Sequence, residues 1–241
     1  TSLEFARDFI EADLTRLHDP FLMNGMGLAV ERVIRAIQQK EAITVFCDYD
    51  VDGVTSAAFL THFFRDLNHP VEAYLPERQS EGYGLNSDAV RKIRDQGAGL
   101  MITADCGITG VTEVALANEI GLDVIITDHH QVGEEGLPAA IAVLNPHRLD
   151  CDYPYRFLCG VGLAFKMAIA VRSELHKAGW PKERLPNLKR HLDLFALGTI
   201  ADVAPLTGEN HILTFHGLEV LTTTAKPGLV ALKETAGIVG N

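Results

Sequence analysis

The chain has 241 residues, 47% of them hydrophobic, with 32 acidic against 21 basic side chains and a formal net charge of −11. That length allows one large or two small packed domains, and no run of about 18 apolar residues offers a membrane-spanning helix. The acidic balance argues against tight, non-specific binding to a long duplex, which a basic face would serve. It leaves phosphodiester chemistry open, because metal pockets concentrate carboxylates and their cations reverse the local sign.

Residues Thr1 to Asp8 carry neither an initiator Met nor a basic-then-apolar signal pattern, so the sequence reads as a fragment or a processed piece. The first ~40 residues look helical. Ala42–Cys47 is a short β-branched run, and Gly53–Leu67 has helical periodicity through Val54, Ala57, Ala58, Leu60 and Phe64. Val71–Leu75 is the next strand, and Asn86–Gln96 a helix with Asn86 or Ser87 as its cap and Gly97 past its end. Leu100–Thr103, Val124–Thr127 and Ile141–Leu144 read as strands, with a helix over Val111–Ile120 stopped by Gly121. Strands alternating with helices predict an α/β fold, a parallel sheet with helices on both faces. Gly160–Ala178, Leu188–Leu197 and the chain from Gly208 onward, with Pro227 in a first turn, predict a helical C-terminal part. Cys47, Cys106, Cys151 and Cys159 fit no zinc or disulfide spacing and read as reduced, buried thiols of a cytoplasmic protein.

Four segments end an apolar run with acids or histidines: Cys47–Gly53 (CDYDVDG), Thr103–Gly107 (TADCG), Thr127–His130 (TDHH) and Gly198–Val203 (GTIADV). The first three follow predicted parallel strands, whose carboxyl ends share the rim where open α/β sheets bind ligands. Asp50, Asp52, Asp105, Asp128, His129 and His130 are therefore expected to converge. One Asp after a strand is ordinarily a turn former or a helix cap, and Asp48 and Asp128 can serve so even inside a real site. A joint cluster is different, because crowded carboxylates raise one another's pKa unless cations intervene. No Lys or Arg lies within the four segments, which favours divalent metal. Mixed Asp and His donors rich in carboxylate lean towards Mn²⁺ or Mg²⁺, and two ions about 3.5–4 Å apart would clamp a phosphoryl group for in-line attack.

These segments resemble the four signature motifs of the DHH phosphoesterase superfamily in its RecJ branch. "LPERQSEGYGLN" (75–86) and "CGVGLAFK" (159–166) resemble further parts of that branch, and the likeness runs from about Leu22 to Leu221. The resemblance implies a 5′ to 3′ exonuclease that releases 5′-mononucleotides from single-stranded DNA with Mn²⁺ or Mg²⁺, in DNA repair and recombination. It also implies residue roles: Asp105 bridging two metals, Asp50 mainly on the first, and Asp52, His129 and Asp202 on the second. His130 would donate to the scissile phosphate, and Asp128 would orient the histidines from behind. Some members of the superfamily carry a His four residues before the first ligand Asp; here that residue is Phe46, so the first metal is expected to bind more weakly.

Arg78 is read as either a phosphate grip or a solvated surface arginine. Gly82 and Gly84 either bring a loop close to the site or form a turn. Gly160 and Gly162 open a helix whose N-terminal amides could take a phosphate, or they permit close helix packing. Tyr83 either stacks on a base or packs at the rim, while Lys189-Arg190-His191 reads as a solvated helix face. His62, His69, His176, His191, His211 and His216 receive no role. The sequence divides into an N-terminal helical segment (1–40), a DHH domain (41–225) and the start of a connecting helix (226–241) towards an absent second domain. The expected partner is single-stranded DNA, met by a monomer without a membrane, other repair proteins being unspecified; such a core should be weakly processive. Rival readings are hydrolysis of short RNA oligomers or cyclic dinucleotides, or a non-catalytic replication scaffold.

Overall fold

The computed structural model describes residues 9–79 and 81–238; residues 1–8 of the N-terminal segment, Ser80 of the Arg78 loop and residues 239–241 lie outside them. Five strands form one sheet: β1 (Ile43–Cys47), β2 (Val71–Tyr74), β3 (Leu100–Ala104), β4 (Asp123–Thr127) and β5 (Ala142–Leu144). Their order is β2-β1-β3-β4-β5 and every pairing is parallel. The first strand thus lies inside the sheet, and the chain reverses its direction of winding between β1 and β3, where α/β sheets open a crevice at their carboxyl ends.

The helices that accompany it are α1 (Met26–Gln39), α2 (Val51–Asp66), α3 (Ser87–Asp95), α4 (Val111–Glu119), α5 (Gly160–Lys177), α6 (Leu192–Ala201), α7 (Gly208–Thr222) and α8 (Pro227–Thr235). Strand side chains alternate between two cores, as the twofold repeat of a strand requires. Ile43, Val45, Leu100 and Ile102 join α1, α2 and α5 in the larger core, whereas Phe46, Met101, Val124 and Ile126 face α3 and α4. Both faces of β1, β3 and β5 are covered, which is why these strands are mostly apolar and fully buried. Helix α1, set apart in the sequence reading as part of segment 1–40, buries Met26, Val30 and Val33 in the same core as β1 and β3. All four cysteines are free and buried. Among the described residues no helix is long and apolar enough to cross a membrane.

Three local departures from the predicted elements have physical causes. The segment before α1 is broken into short 3₁₀ turns at Leu14–Arg16 and Pro20–Leu22, because the Asp13 and Asp19 carboxylates accept backbone N–H bonds that start each turn. Helix α2 starts at Val51 rather than Gly53: Asp50 caps it by accepting from the Gly53 amide at 2.9 Å, so Asp52 lies within the first turn. The stretch expected over Leu188–Leu197 is a 3₁₀ turn at Leu188–His191 followed by α6, which runs on to Ala201. His191 in that turn is buried and stacks on His62 at 5.2 Å between ring centroids, so Lys189-Arg190-His191 is not a uniformly solvated face.

One buried ion pair ties the chain ends to α5. The Lys166 ammonium, fully buried, donates to Glu209 Oε1 at 2.8 Å and to the His18 carbonyl at 2.6 Å. Glu209 also accepts from the Tyr153 hydroxyl and the His18 amide. Burial lowers the Lys166 pKa, and the Glu209 charge opposes the shift. Removing one partner strands the other charge in the interior. Lys166→Met is therefore expected to destabilise the fold by roughly 3–5 kcal/mol, read from denaturant unfolding, with part of the loss regained in Lys166→Met/Glu209→Gln.

Candidate metal centre

Strand register builds the floor of the site. Cys47 pairs with Ala104 and Ala104 with Thr127, so the next residue on three adjacent strands is Asp48, Asp105 and Asp128. Each extends the ladder by one bond: Asp48 N to Ala104 O (3.2 Å), Asp105 N to Thr127 O (2.9 Å) and Asp128 N to Leu144 O (3.2 Å). All three side chains are buried. Asp105 does this with φ at +65°, a left-handed conformation that costs a non-glycine residue of order 1–3 kcal/mol. The turn carries its carboxylate towards the helices instead of along the strand.

From the helical side, Asp52 and Asp202 close in. Asp52, 1% exposed, accepts from the first amides of α5, Gly160 N at 2.5 Å and Val161 N at 2.9 Å. Asp202 caps the C-terminal end of α6. His129 Nε2 lies 3.0 Å from Asp105 Oδ1, 3.9 Å from Asp52 Oδ2 and 4.0 Å from Asp202 Oδ2. Thus the structure brings Asp52, Asp105, His129 and Asp202 around one point. Asp48, Asp50 and Asp105 form a neighbouring group, each offering an oxygen within 4.8 Å of the other two.

Asp105 tests whether cations fit here. Among the described residues neither of its oxygens has a hydrogen-bond partner, nor has His129 Nε2, although the imidazole and carboxylate stand 3.0 Å apart. A bare buried carboxylate is among the most costly groups to leave unmatched. Burial first, then the charges of Asp52 and Asp50, push its pKa up to about 11. Burial likewise raises Asp52, against the pull of the Val161 amide and the His129 charge, and it raises Asp48 and Asp202. A divalent cation supplies the missing partner to Asp105 and His129 and removes the repulsion among the acids, so the donors present fit such ions.

The rim is built differently. His130 points outwards, its Nδ1 bonded to Asp128 Oδ1 at 2.8 Å and its amide donating to the same oxygen at 3.0 Å. The hydrogen bond to Asp128 is the main cause of a raised His130 pKa, with burial opposing it. Asp128 also accepts from Ile108 N at 2.8 Å, which ties the loop after β3 to the end of β4. Of the two histidines, the hydrogen bonds of Asp128 reach His130. The Tyr83 hydroxyl approaches His130 Nε2 at 3.4 Å, and its ring packs edge-on against both His130 and Tyr49. Arg78 lies over the Tyr49 ring at 5.1 Å from the centroid, so it belongs to this rim. Gly82 and Gly84 have φ of +80° and nothing within 4 Å of an added Cβ; they shape the turn without approaching the floor.

The phosphate role considered for the amides at the start of α5 is corrected at Gly160: its amide, with that of Val161, donates to Asp52. A Cβ on Gly160 would stand 2.5 Å from Asp105 Cβ, and one on Gly162 would press on Leu158 and Phe195. These glycines let the helix touch the acidic floor and the core. Three residues escaped the sequence reading as site components. Asn145, fully buried after β5, donates to the His130 carbonyl at 2.8 Å and accepts from the His147 amide at 2.7 Å. Cys159, Asp52 and Asp202 offer donor atoms within 4.8 Å of one another, and Tyr49 supports Arg78. Asn145 obeys the same strand-end rule as the acids and was open to detection; Cys159 reaches the site only through the packing of α5.

Residues 42–199 match the DHH family, N-terminal domain. The chain is 44% identical over 97% of its length to the single-stranded-DNA-specific exonuclease RecJ of Bacillus subtilis, and 41% identical over 89% to that of Escherichia coli. It spans 28% and 38% of the length of those two relatives. A crystal structure of exonuclease RecJ bound to manganese superposes with a TM-score of 0.81 at 34% identity, covering 95% of this chain and 55% of that one. The parallel sheet with acids at its carboxyl rim and the match over residues 42–199 agree: the chain belongs to the DHH family.

Proposed function

We propose that this chain is the catalytic core of a cytoplasmic, metal-dependent exonuclease that removes 5′-mononucleotides from single-stranded DNA in the 5′ to 3′ direction, as a monomer serving repair and recombination. The observation that carries the reading is the unpartnered Asp105 carboxylate, 1% exposed and 3.0 Å from His129. The names of its relatives supply the substrate class, and the motif resemblance supplies the polarity.

Mn²⁺ or Mg²⁺ would be held by Asp50 and Asp105, with Asp48 beside them, and by Asp52, Asp105, His129 and Asp202. When bound, such ions neutralise phosphate charge and lower the pKa of water. The protein's own groups do the rest. The α5 amides hold Asp52 in one orientation, and Asp105 faces both donor groups. His130, fixed through Nδ1 by Asp128, presents Nε2 as a donor to a phosphate oxygen on which charge develops. The Tyr83 hydroxyl occupies that direction and yields it when a phosphate enters. Arg78, propped on Tyr49, offers a planar fork to a neighbouring phosphate.

End-labelled single strands incubated with Mn²⁺ should release labelled mononucleotide, and Asp105→Ala should reduce release to background. Persistence of activity in that variant would overturn the centre. Cleavage confined to dinucleotides would replace the substrate class. His130→Ala is expected to lower the rate by about 10²–10³-fold with Mn²⁺ affinity unchanged by calorimetry, and Asp128→Asn by about 10–100-fold. Some members of the superfamily carry a His at the position of Phe46, which here lies buried against Tyr74 and offers no donor. Calorimetric titration with Mn²⁺ should therefore show one tight site and one in the millimolar range; two equally tight sites would contradict this.

A further inference from the structure

The far end of α5 carries a second place built for anions. A cavity of about 650 Å³ opens between the last turns of α5 and the segment 182–189, and it is lined by Arg172, Lys182 and Lys189 over the apolar side chains of Leu185 and Leu188. No Asp or Glu is among its lining residues. That is unusual in a chain with 32 acids and 21 basic residues, in which Arg32 pairs with Glu41 and Asp123, Lys166 with Glu209, and Lys226 with Asp193. Arg172, Lys182 and Lys189 have no carboxylate partner among the described residues.

Arg172 is also held in place. Its Nε donates to the Pro186 carbonyl at 2.9 Å, which fixes the guanidinium plane and leaves both terminal nitrogens without an acceptor among the described residues. A rigid planar fork beside two ammonium groups suits a phosphate oxygen set. The Asn187 side-chain oxygen accepts from the Lys189 amide at 3.2 Å, so its amide nitrogen remains available to the edge of a base. We propose that this cavity binds a nucleotide, with its phosphates on Arg172, Lys182 and Lys189 and its base over Leu185 and Leu188. An inorganic anion would leave the apolar floor and most of the volume uncovered, whereas 650 Å³ lies within the usual size of small-ligand pockets, about 300–1,000 Å³. Arg172 is twelve residues along α5 from Gly160, about 18 Å at 1.5 Å per residue. The cavity is thus distinct from the acidic centre, and its assignment does not depend on the nuclease reading.

The test is titration of the protein with ADP in EDTA, which silences any metal-dependent binding at the acidic centre. Calorimetry gives the affinity, and fluorescence of Trp180, the chain's single tryptophan, gives an independent signal two residues from Lys182. Saturable, sub-millimolar binding is expected, with adenosine failing to bind. Arg172→Gln should weaken ADP by about tenfold or more, the loss of a charge-assisted contact. Lys182→Glu/Lys189→Glu, on exposed side chains that leave folding intact by circular dichroism, should do at least the same. Non-saturable titration of the unmodified protein, or full affinity in the double variant, would overturn the site. Equal binding of adenosine and ADP would remove the phosphate role, and equal binding of pyrophosphate and ADP would remove the nucleotide assignment.

Discussion

A single buried carboxylate organises this molecule. Asp105 stands at the middle of the sheet's carboxyl rim, 1% exposed, with both oxygens unpaired and its backbone in a left-handed turn. Burial and neighbouring acids both oppose its charge, a local cost that a bound cation offsets. Much of the surrounding architecture serves to keep that group there. The parallel register sets Asp48 and Asp128 on either side of it, and α5 begins with a glycine because a Cβ would collide with it. The amides of that helix hold Asp52 next to it.

The site divides into a rigid floor and an open rim, and different forces position each. Floor groups are fixed by main chain, through the ends of β1, β3 and β4 and the first turn of α5. Rim groups are fixed by side chains: Asp128 and Asn145 brace His130, and Tyr83, Tyr49 and Arg78 form an aromatic and cationic run beside it. The floor suits ions, whose donors must hardly move. The rim offers its donors on exposed side chains.

Helix α5 links these parts to the rest of the chain. Its start meets Asp52 and Asp105, its middle carries Lys166 into a buried pair with Glu209 of α7 and the His18 backbone, and its last turns border the cationic cavity. The surroundings of this helix therefore differ in charge along its length: acids meet its N-terminal end, where amides and helix dipole favour them, a matched pair lies inside, and Arg172 near its far end faces the cations of the 182–189 segment. A net charge of −11 conceals that arrangement.

Much of the fold was legible because its determinants are local. Strand-length apolar runs, threefold and fourfold helical spacing, the Asn86 cap and acids placed just after strands are patterns within a dozen residues. They implied the parallel sheet and the convergence of Asp52, Asp105 and His129, while Asp202 entered only through the family likeness, which rested on short motifs in order. The break at His191 was less visible, since Leu188–Leu197 is equally apolar in either backbone form. What the sequence left open was how distant groups spend their hydrogen bonds. The α5 amides were free to hold a phosphate until packing brought Asp52 to them across 108 residues of chain. Asn145 became a brace for His130 only when β5 took the edge beside β4. Periodicity declares which face of an element is buried, but not which neighbour it meets; that choice belongs to tertiary packing, where one donor can satisfy only the acceptor that reaches it first.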